Sequence, residues 1–239
     1  MLGVGPPTRK PSRDEAEKPF WISFSDMMTA LMVLFLVVMT VALLAVTHTI
    51  SESERLKAAR DTEIKVLMAK MMEASKIYPG IRITGSTIDF GEQARFDTDS
   101  DRLTPAQARQ LRAFIPHILK IARDPLGKKW IKRVVVEGYA DQRGTYIHNL
   151  DLSIKRSENV LFALLADPEP GETTLTPQDR LLVQQLFLVG GASFNSLKKS
   201  LEESRRIELK MEFLEMGETT HKKPSIELAQ GHSFPYSQP

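Results

Sequence analysis

FWISFSDMMTALMVLFLVVMTVALLAV, residues 20–46, divides the chain into what lies before and after it. It carries a single charge, Asp26, and the 20 residues from Met27 to Val46 carry none. A helix needs about 20 apolar residues to cross the hydrocarbon of a bilayer. Residues 20–47 therefore read as one transmembrane helix. A secretory signal would have an apolar stretch of only about 7–15 residues and then a small-x-small cleavage site. Ala45-Val46-Thr47 is a weak version of that site, so an uncleaved anchor is the better reading.

A carboxylate in hydrocarbon is costly, about 2.5–3.5 kcal/mol at a helix centre on insertion scales. Asp26 is therefore read as an ion- or proton-carrying group. Helical spacing places Ala30, Val33, Val37 and Thr40 on its face. These are smaller than Leu31, Leu34, Phe35 and Leu36, and small faces let membrane helices approach closely. A lipid-facing accident of sequence is the plainer alternative. Ser23, Ser25 and Thr29 lie close enough to hydrogen-bond the carboxylate or its ion. Asp26, Ser25 and Thr29 form the candidate ion-carrying set.

Outward from this stretch, residues 1–19 are polar, contain Pro6, Pro7 and Pro11, and read as a flexible tail. Arg9, Lys10, Arg13 and Lys18 favour a cytoplasmic N-terminus, because orientation follows Lys and Arg near a span. Arg55, Lys57 and Arg60, just past the other end, weaken that bias. The expected location is a bacterial inner membrane, crossed once, with the C-terminal domain in the periplasm. Trp21 suits the interface. Residues 48–80 read as a linker helix in which Ile64, Leu67, Met68, Met71 and Met72 form an apolar stripe. That stripe pairs with a second copy or folds onto the domain, and Tyr78-Pro79-Gly80 ends the helix.

Residues 81–213 read as one α/β sandwich domain of the α+β kind. IRITGSTIDF (81–90) is a hairpin around Gly85, and RFDTDSDRLT (95–104) is a loop. Thr104 caps a helix that begins at Pro105, and Pro116 predicts a kink in it. KRVVVEGYA (132–140) is a strand whose valine run predicts burial on both faces. A helix is expected over 153–166, a loop over 167–177 and another helix over 178–188. RIELKMEF (206–213) alternates with Ile207, Leu209, Met211 and Phe213 inward. Residues 214–239 read as a loose tail.

The net charge is +2, with both signs mixed throughout, so no nucleic-acid partner is implied. Cysteine is absent, which excludes disulfides and thiolate metal sites. His48, His117, His148, His221 and His232 lack ligand spacing, and no nucleophile–base pair is evident. The chain reads as a non-enzyme with no metal and no cofactor, its only small partner being a translocated H⁺ or Na⁺.

The chemistry of the domain concentrates in GYADQRGTYIHNLDLSIKRSENV (138–160). Asp141 follows a strand and Arg156 lies 15 residues on, so the two can converge over the loop. A carboxylate and a guanidinium in one cleft recognise a zwitterion: Asp141 takes an ammonium and Arg156 a carboxylate. A purely structural Asp141–Arg156 pair is the alternative.

The spacing G-Y-A-D-x-x-G-x(4)-N-x-x-L-S-x-x-R-x-x-x-V resembles the OmpA-like peptidoglycan-binding domains. RFDTDSDRLT, the 105–123 helix and SRRIELKMEF fit as well, so the resemblance covers about 81–213. It implies that Asp141 and Arg156 bind the diaminopimelate group of the cell-wall peptide, with Asn149 and Leu152 lining the pocket. His148 completes the candidate set. Ala140 stands where the family has Thr.

W-x(4)-D-x-M-T-A-x-M, carried by Trp21, Asp26, Met28, Thr29, Ala30 and Met32, resembles the start of the MotB stator helix. That resemblance implies a homodimer inside a ring of MotA- or ZorA-like membrane subunits, driven by protons or sodium ions through Asp26. The wording is more similar to the stator-like B subunits of Zorya anti-phage systems than to flagellar MotB. A flagellar-type stator and a passive cell-wall anchor remain the alternatives.

Overall fold

The computed structural model describes residues 13–166 and 175–219, with side chains from Trp21 onward. The chain forms two compact units that divide between Ala58 and Ala59. Residues 1–12, most of the 167–177 loop and residues 220–239 of the expected C-terminal tail lie outside the description.

The first unit is helical. Helix α1 (Arg13–Ser75) starts inside the expected N-terminal tail and merges the expected span and linker into one element. Its best 18-residue window has a mean hydropathy of 2.8, long and apolar enough to cross a membrane. Residues 21–58 are exposed throughout. The Thr29, Thr40, Thr47 and Thr49 hydroxyls donate to carbonyls four residues earlier at 2.7–2.9 Å. These bonds satisfy hydroxyls on an otherwise apolar surface, where an unpaired donor is costly.

The second unit begins with the last turns of α1. Leu67 and Met71 are fully buried in the domain core, with Ile64 and Met68 packed against it. The stripe thus folds onto its own domain, while Met72 remains outside. Arg60 Nε donates to the Leu214 carbonyl at 2.8 Å. Glu63 accepts from Lys129 Nζ at 2.6 Å and from the Trp130 indole.

The sheet has the order β1-β2-β5-β3-β4. Strands β1 (Arg82–Thr84) and β2 (Thr87–Asp89) form the expected hairpin. At its turn Gly85 has φ 59°, a left-handed conformation that costs glycine little. Strand β5 (Ile207–Phe213) lies antiparallel to β2 and to β3 (Ile131–Gly138). Strand β4 (Phe187–Gly191) lies parallel to β3. A parallel neighbour needs a crossover, and helices α4 (Tyr146–Leu165) and α5 (Pro177–Leu186) supply it. Helix α2 (Pro105–Arg123) is fixed by a full capping box between Thr104 and Gln107, and it runs through Pro116 as one helix. The short helices α3 (Pro125–Trp130) and α6 (Leu201–Ser204) complete the unit.

Several expectations need correction. β3 is buried on one face: Val134 and Val136 are covered, whereas Val135 and Glu137 are half-buried. The opposite face is a charged surface, with Arg133–Glu212 and Lys210–Glu137 pairs at 2.5 Å. β4 takes the last two residues of the expected 178–188 helix and three residues that have no expected element. α4 starts at Tyr146, seven residues before the expected Ser153. Phe213 is only partly buried, and Glu208, which the alternation places facing outward, is buried against Arg206.

Candidate functional site

The loop between β3 and α4 wraps one end of a cavity of about 250 Å³. Two glycines shape it. At Gly138, the last residue of β3, an added Cβ would lie 2.0 Å from the Ser153 carbonyl, so α4 can sit directly on the strand only because no side chain is there. Gly144 has φ 94°, the left-handed turn that sends the chain into α4. Thr145 then caps the helix, accepting from the His148 amide at 3.3 Å.

The buried face of α4 is largely polar: Asn149, Ser153, Arg156 and Ser157 lie on it with Leu152 and Val160. Each polar group has a partner. Ser157 Oγ donates to the Gly190 carbonyl at 2.7 Å, and Ser153 Oγ accepts from the Ser193 amide at 3.1 Å. Asn149 Nδ2 donates to the Arg143 carbonyl at 2.7 Å and so pins the loop.

Arg156 has no exposed surface. It donates to the carbonyls of Ser100, Tyr139 and Asp97 at 2.9, 2.7 and 3.2 Å. Its guanidinium lies 4.8 Å from the centre of the Phe96 ring. Burial, with Arg205 nearby, pulls its pKa down to about 10, so it remains a cation at neutral pH. Three of its five N–H groups hold the loops around it, and Arg156 is among the residues that line the cavity.

Asp141 does not pair with Arg156. It accepts from Arg143 Nη2 at 2.6 Å, from the Arg143 amide at 3.0 Å and from Arg205 Nη1 at 3.0 Å. The Arg143 side chain holds its carboxyl well below the usual carboxylate range, against the opposing effect of burial. His148 stands at the mouth, its Nε2 2.7 Å from Asp99 Oδ1. Leu152 supplies an apolar wall, and Ala140 sits behind it with its amide bonded to the Ser193 carbonyl at 2.8 Å.

All five expected domain residues, Asp141, His148, Asn149, Leu152 and Arg156, therefore line one cavity. Sequence reasoning missed Arg143, Arg205, Thr98 and Asp99, which line it too. Arg143 is two residues from Asp141, and a side chain curling onto its own loop two residues on is a known turn habit of Asp. Arg205 is 64 residues away and had no local signal.

In the first unit, the hydroxyl of Thr29 donates to the Ser25 carbonyl at 2.8 Å. Ser25, directly before Asp26, and Thr29, three residues after it, thus meet through a side-chain to main-chain hydrogen bond. Ser25 and Asp26 are neighbours on the same exposed helix surface.

Residues 95–168 match the OmpA family. Residues 7–57 match the family described as membrane MotB of the proton-channel complex MotA/MotB. Among solved structures, the OmpA-like domain of FopA1 from Francisella tularensis is 20% identical with a TM-score of 0.36, over 56% of this chain and 82% of that one. The periplasmic domain of Helicobacter pylori MotB is 13% identical with a TM-score of 0.37, over 56% of this chain and 80% of that one. The Zorya protein ZorB of Escherichia coli O139:H28 is 38% identical over 95% of this chain and 94% of its own length.

The class is thus a MotB-like protein, an apolar N-terminal helix followed by an OmpA-like α/β domain. At that identity and coverage the chain belongs to the ZorB family.

Proposed function

We propose that this chain is the B subunit of an ion-driven inner-membrane motor in Zorya anti-phage defence. α1 crosses the membrane once with its N-terminus in the cytoplasm, and two copies stand inside a ring of MotA- or ZorA-like subunits. The domain grips peptidoglycan through the cavity at Asp141 and Arg156, so the pair cannot turn. Protons, or sodium ions, bind and leave Asp26, and the ring steps around the fixed axis. One elementary charge crossing 100 mV supplies about 2.3 kcal/mol per step. Ser25 and Thr29 offer oxygens beside the carboxylate.

One observation carries this reading. A lone carboxylate heads an uncharged stretch of 20 residues in the same chain as a cavity lined by an acid and a buried guanidinium. Intramembrane ionisable groups mark ion pathways by default, and a zwitterion pocket suits an amino-acid side chain of the wall peptide. In the cavity Arg156 meets a carboxylate, Asn149 orients the loop, and Leu152 and His148 shape the opening.

The test is Asp26→Asn in the whole complex, which keeps size and hydrogen bonding but cannot titrate. Phage protection is lost while complex assembly and sacculus binding remain. A variant that still protects cells fully would make the chain a passive anchor and end the motor reading.

A further inference from the structure

The Asp141 carboxylate has no acceptor capacity left over. A carboxylate offers about four lone-pair positions, and five contacts already fall on it. Oδ1 takes the Arg143 amide at 3.0 Å and Arg143 Nε at 3.2 Å. Oδ2 takes Arg143 Nη2 at 2.6 Å, Arg143 Nε at 3.3 Å and Arg205 Nη1 at 3.0 Å. An incoming ammonium finds its counter-ion already capped by two cations.

The two cations are held very differently. Arg205 is buried, and its Nε also donates to the Phe96 carbonyl at 2.8 Å. It is a fixed wall. The Arg143 side chain is 49% exposed, and among the described residues its guanidinium hydrogen-bonds, beyond Asp141, to the Thr98 hydroxyl at 3.0 Å. Its main chain is separately pinned by Asn149. The side chain can therefore swing into solvent while the loop stays in place. The guanidinium lies over the carboxylate inside the cavity, where the zwitterion reading puts the ligand's ammonium.

We propose that Arg143 is a built-in occupant of the ammonium side of this pocket, which a diamino-acid ligand must displace in order to reach Asp141. The proposal rests on the peptidoglycan reading above. It makes Arg143 a specificity element. Ligands with only a carboxylate can meet Arg156 without moving it, whereas ligands that bring their own ammonium exchange one cation for another on Asp141. The closed form lowers apparent affinity in proportion to the time the side chain spends over the carboxylate.

The experiment is calorimetric titration of the full chain in detergent with meso-diaminopimelate and with pimelate, the same dicarboxylate skeleton without ammonium groups. Arg143→Ala binds meso-diaminopimelate about tenfold tighter than the wild type if the site is closed about nine-tenths of the time, and pimelate gains nothing. Equal or weaker binding of meso-diaminopimelate by Arg143→Ala overturns the proposal, as does an equal gain for pimelate. In the wild type, saturation with meso-diaminopimelate also releases the Arg143 Nε–H to fast solvent exchange, a readout that needs no variant. An Nε–H that stays protected in the bound state overturns the proposal as well. Wild type that binds neither meso-diaminopimelate nor sacculi sinks the peptidoglycan reading and this inference with it. Wild type that binds with no gain in the variant sinks this inference alone.

Discussion

Arg156→Ala is expected to unfold the domain more readily as well as to abolish wall binding, and the size of the first effect can be worked out. The guanidinium satisfies three carbonyls, those of Asp97, Ser100 and Tyr139, from a position with no exposed surface. A buried acceptor left without a partner costs about 1–3 kcal/mol. Water from the adjoining cavity can reach some of these groups, which favours the low end for each. The stacked Phe96 ring loses its cation as well. The sum is about 3 kcal/mol, or about 6–12 °C in the melting temperature of a domain of this size. Differential scanning of the full chain in detergent measures it. Arg156→Lys should fall between, because an ammonium cannot span three carbonyls held in a fan. If Arg156→Ala melts within about 1 °C of the wild type, the carbonyl network holds nothing and the site argument built on it is wrong. Sacculus binding must be compared well below the variant's melting point, where weaker binding reports on the pocket itself.

The Asp141 carboxyl is held low by the Arg143 side chain, so its stabilising contribution is full above the unfolded carboxylate value of about 3.9 and is lost as pH falls through that value towards the lower folded one. Melting temperatures of wild type and Asp141→Asn should therefore differ near neutral pH and converge below about pH 4; a constant gap down to pH 2 would refute the ion-pair assignment. Leu67→Ala should cost about 2–5 kcal/mol, because Leu67 is fully buried in the domain core, whereas exposed Met72→Ala should stay within about 0.5 kcal/mol. Equal effects at the two positions would mean that this part of α1 does not belong to the domain.

The legible parts of the fold were those governed by local rules. Thr104, Pro105 and Gln107 spell a helix start, and the structure carries both hydrogen bonds of that capping box. Gly85 sits between two short β-branched runs and makes the hairpin turn. The apolar stripe through Leu67 and Met71 gave a helix, although its two possible partners had equal standing in the sequence. The illegible parts depended on distant chain. β4 is five residues long, ends in two glycines and is a strand only because β3 lies beside it. The valine run of β3 suggested two buried faces, but Arg133 and Glu137 answer to Glu212 and Lys210 on β5, which leaves the second face to solvent.

The start of α4 escaped for a reason that also explains the site. A helix is recognised from sequence by apolar residues at helical spacing, and the first three turns of α4 bury Asn149, Ser153, Arg156 and Ser157 instead. Buried polar groups are tolerated only where each finds a partner. Here the partners come from the loop at 97–100, from β4 and the residues after it, and from the end of β3. The same polar face therefore obscures the helix in the sequence, ties three separate segments together and leaves a guanidinium at the cavity wall. A more apolar α4 would read more plainly as a helix and pack more simply, but it would have no reason to gather those loops around Asp141, and the cavity would keep Arg143 and Arg205 while losing Arg156.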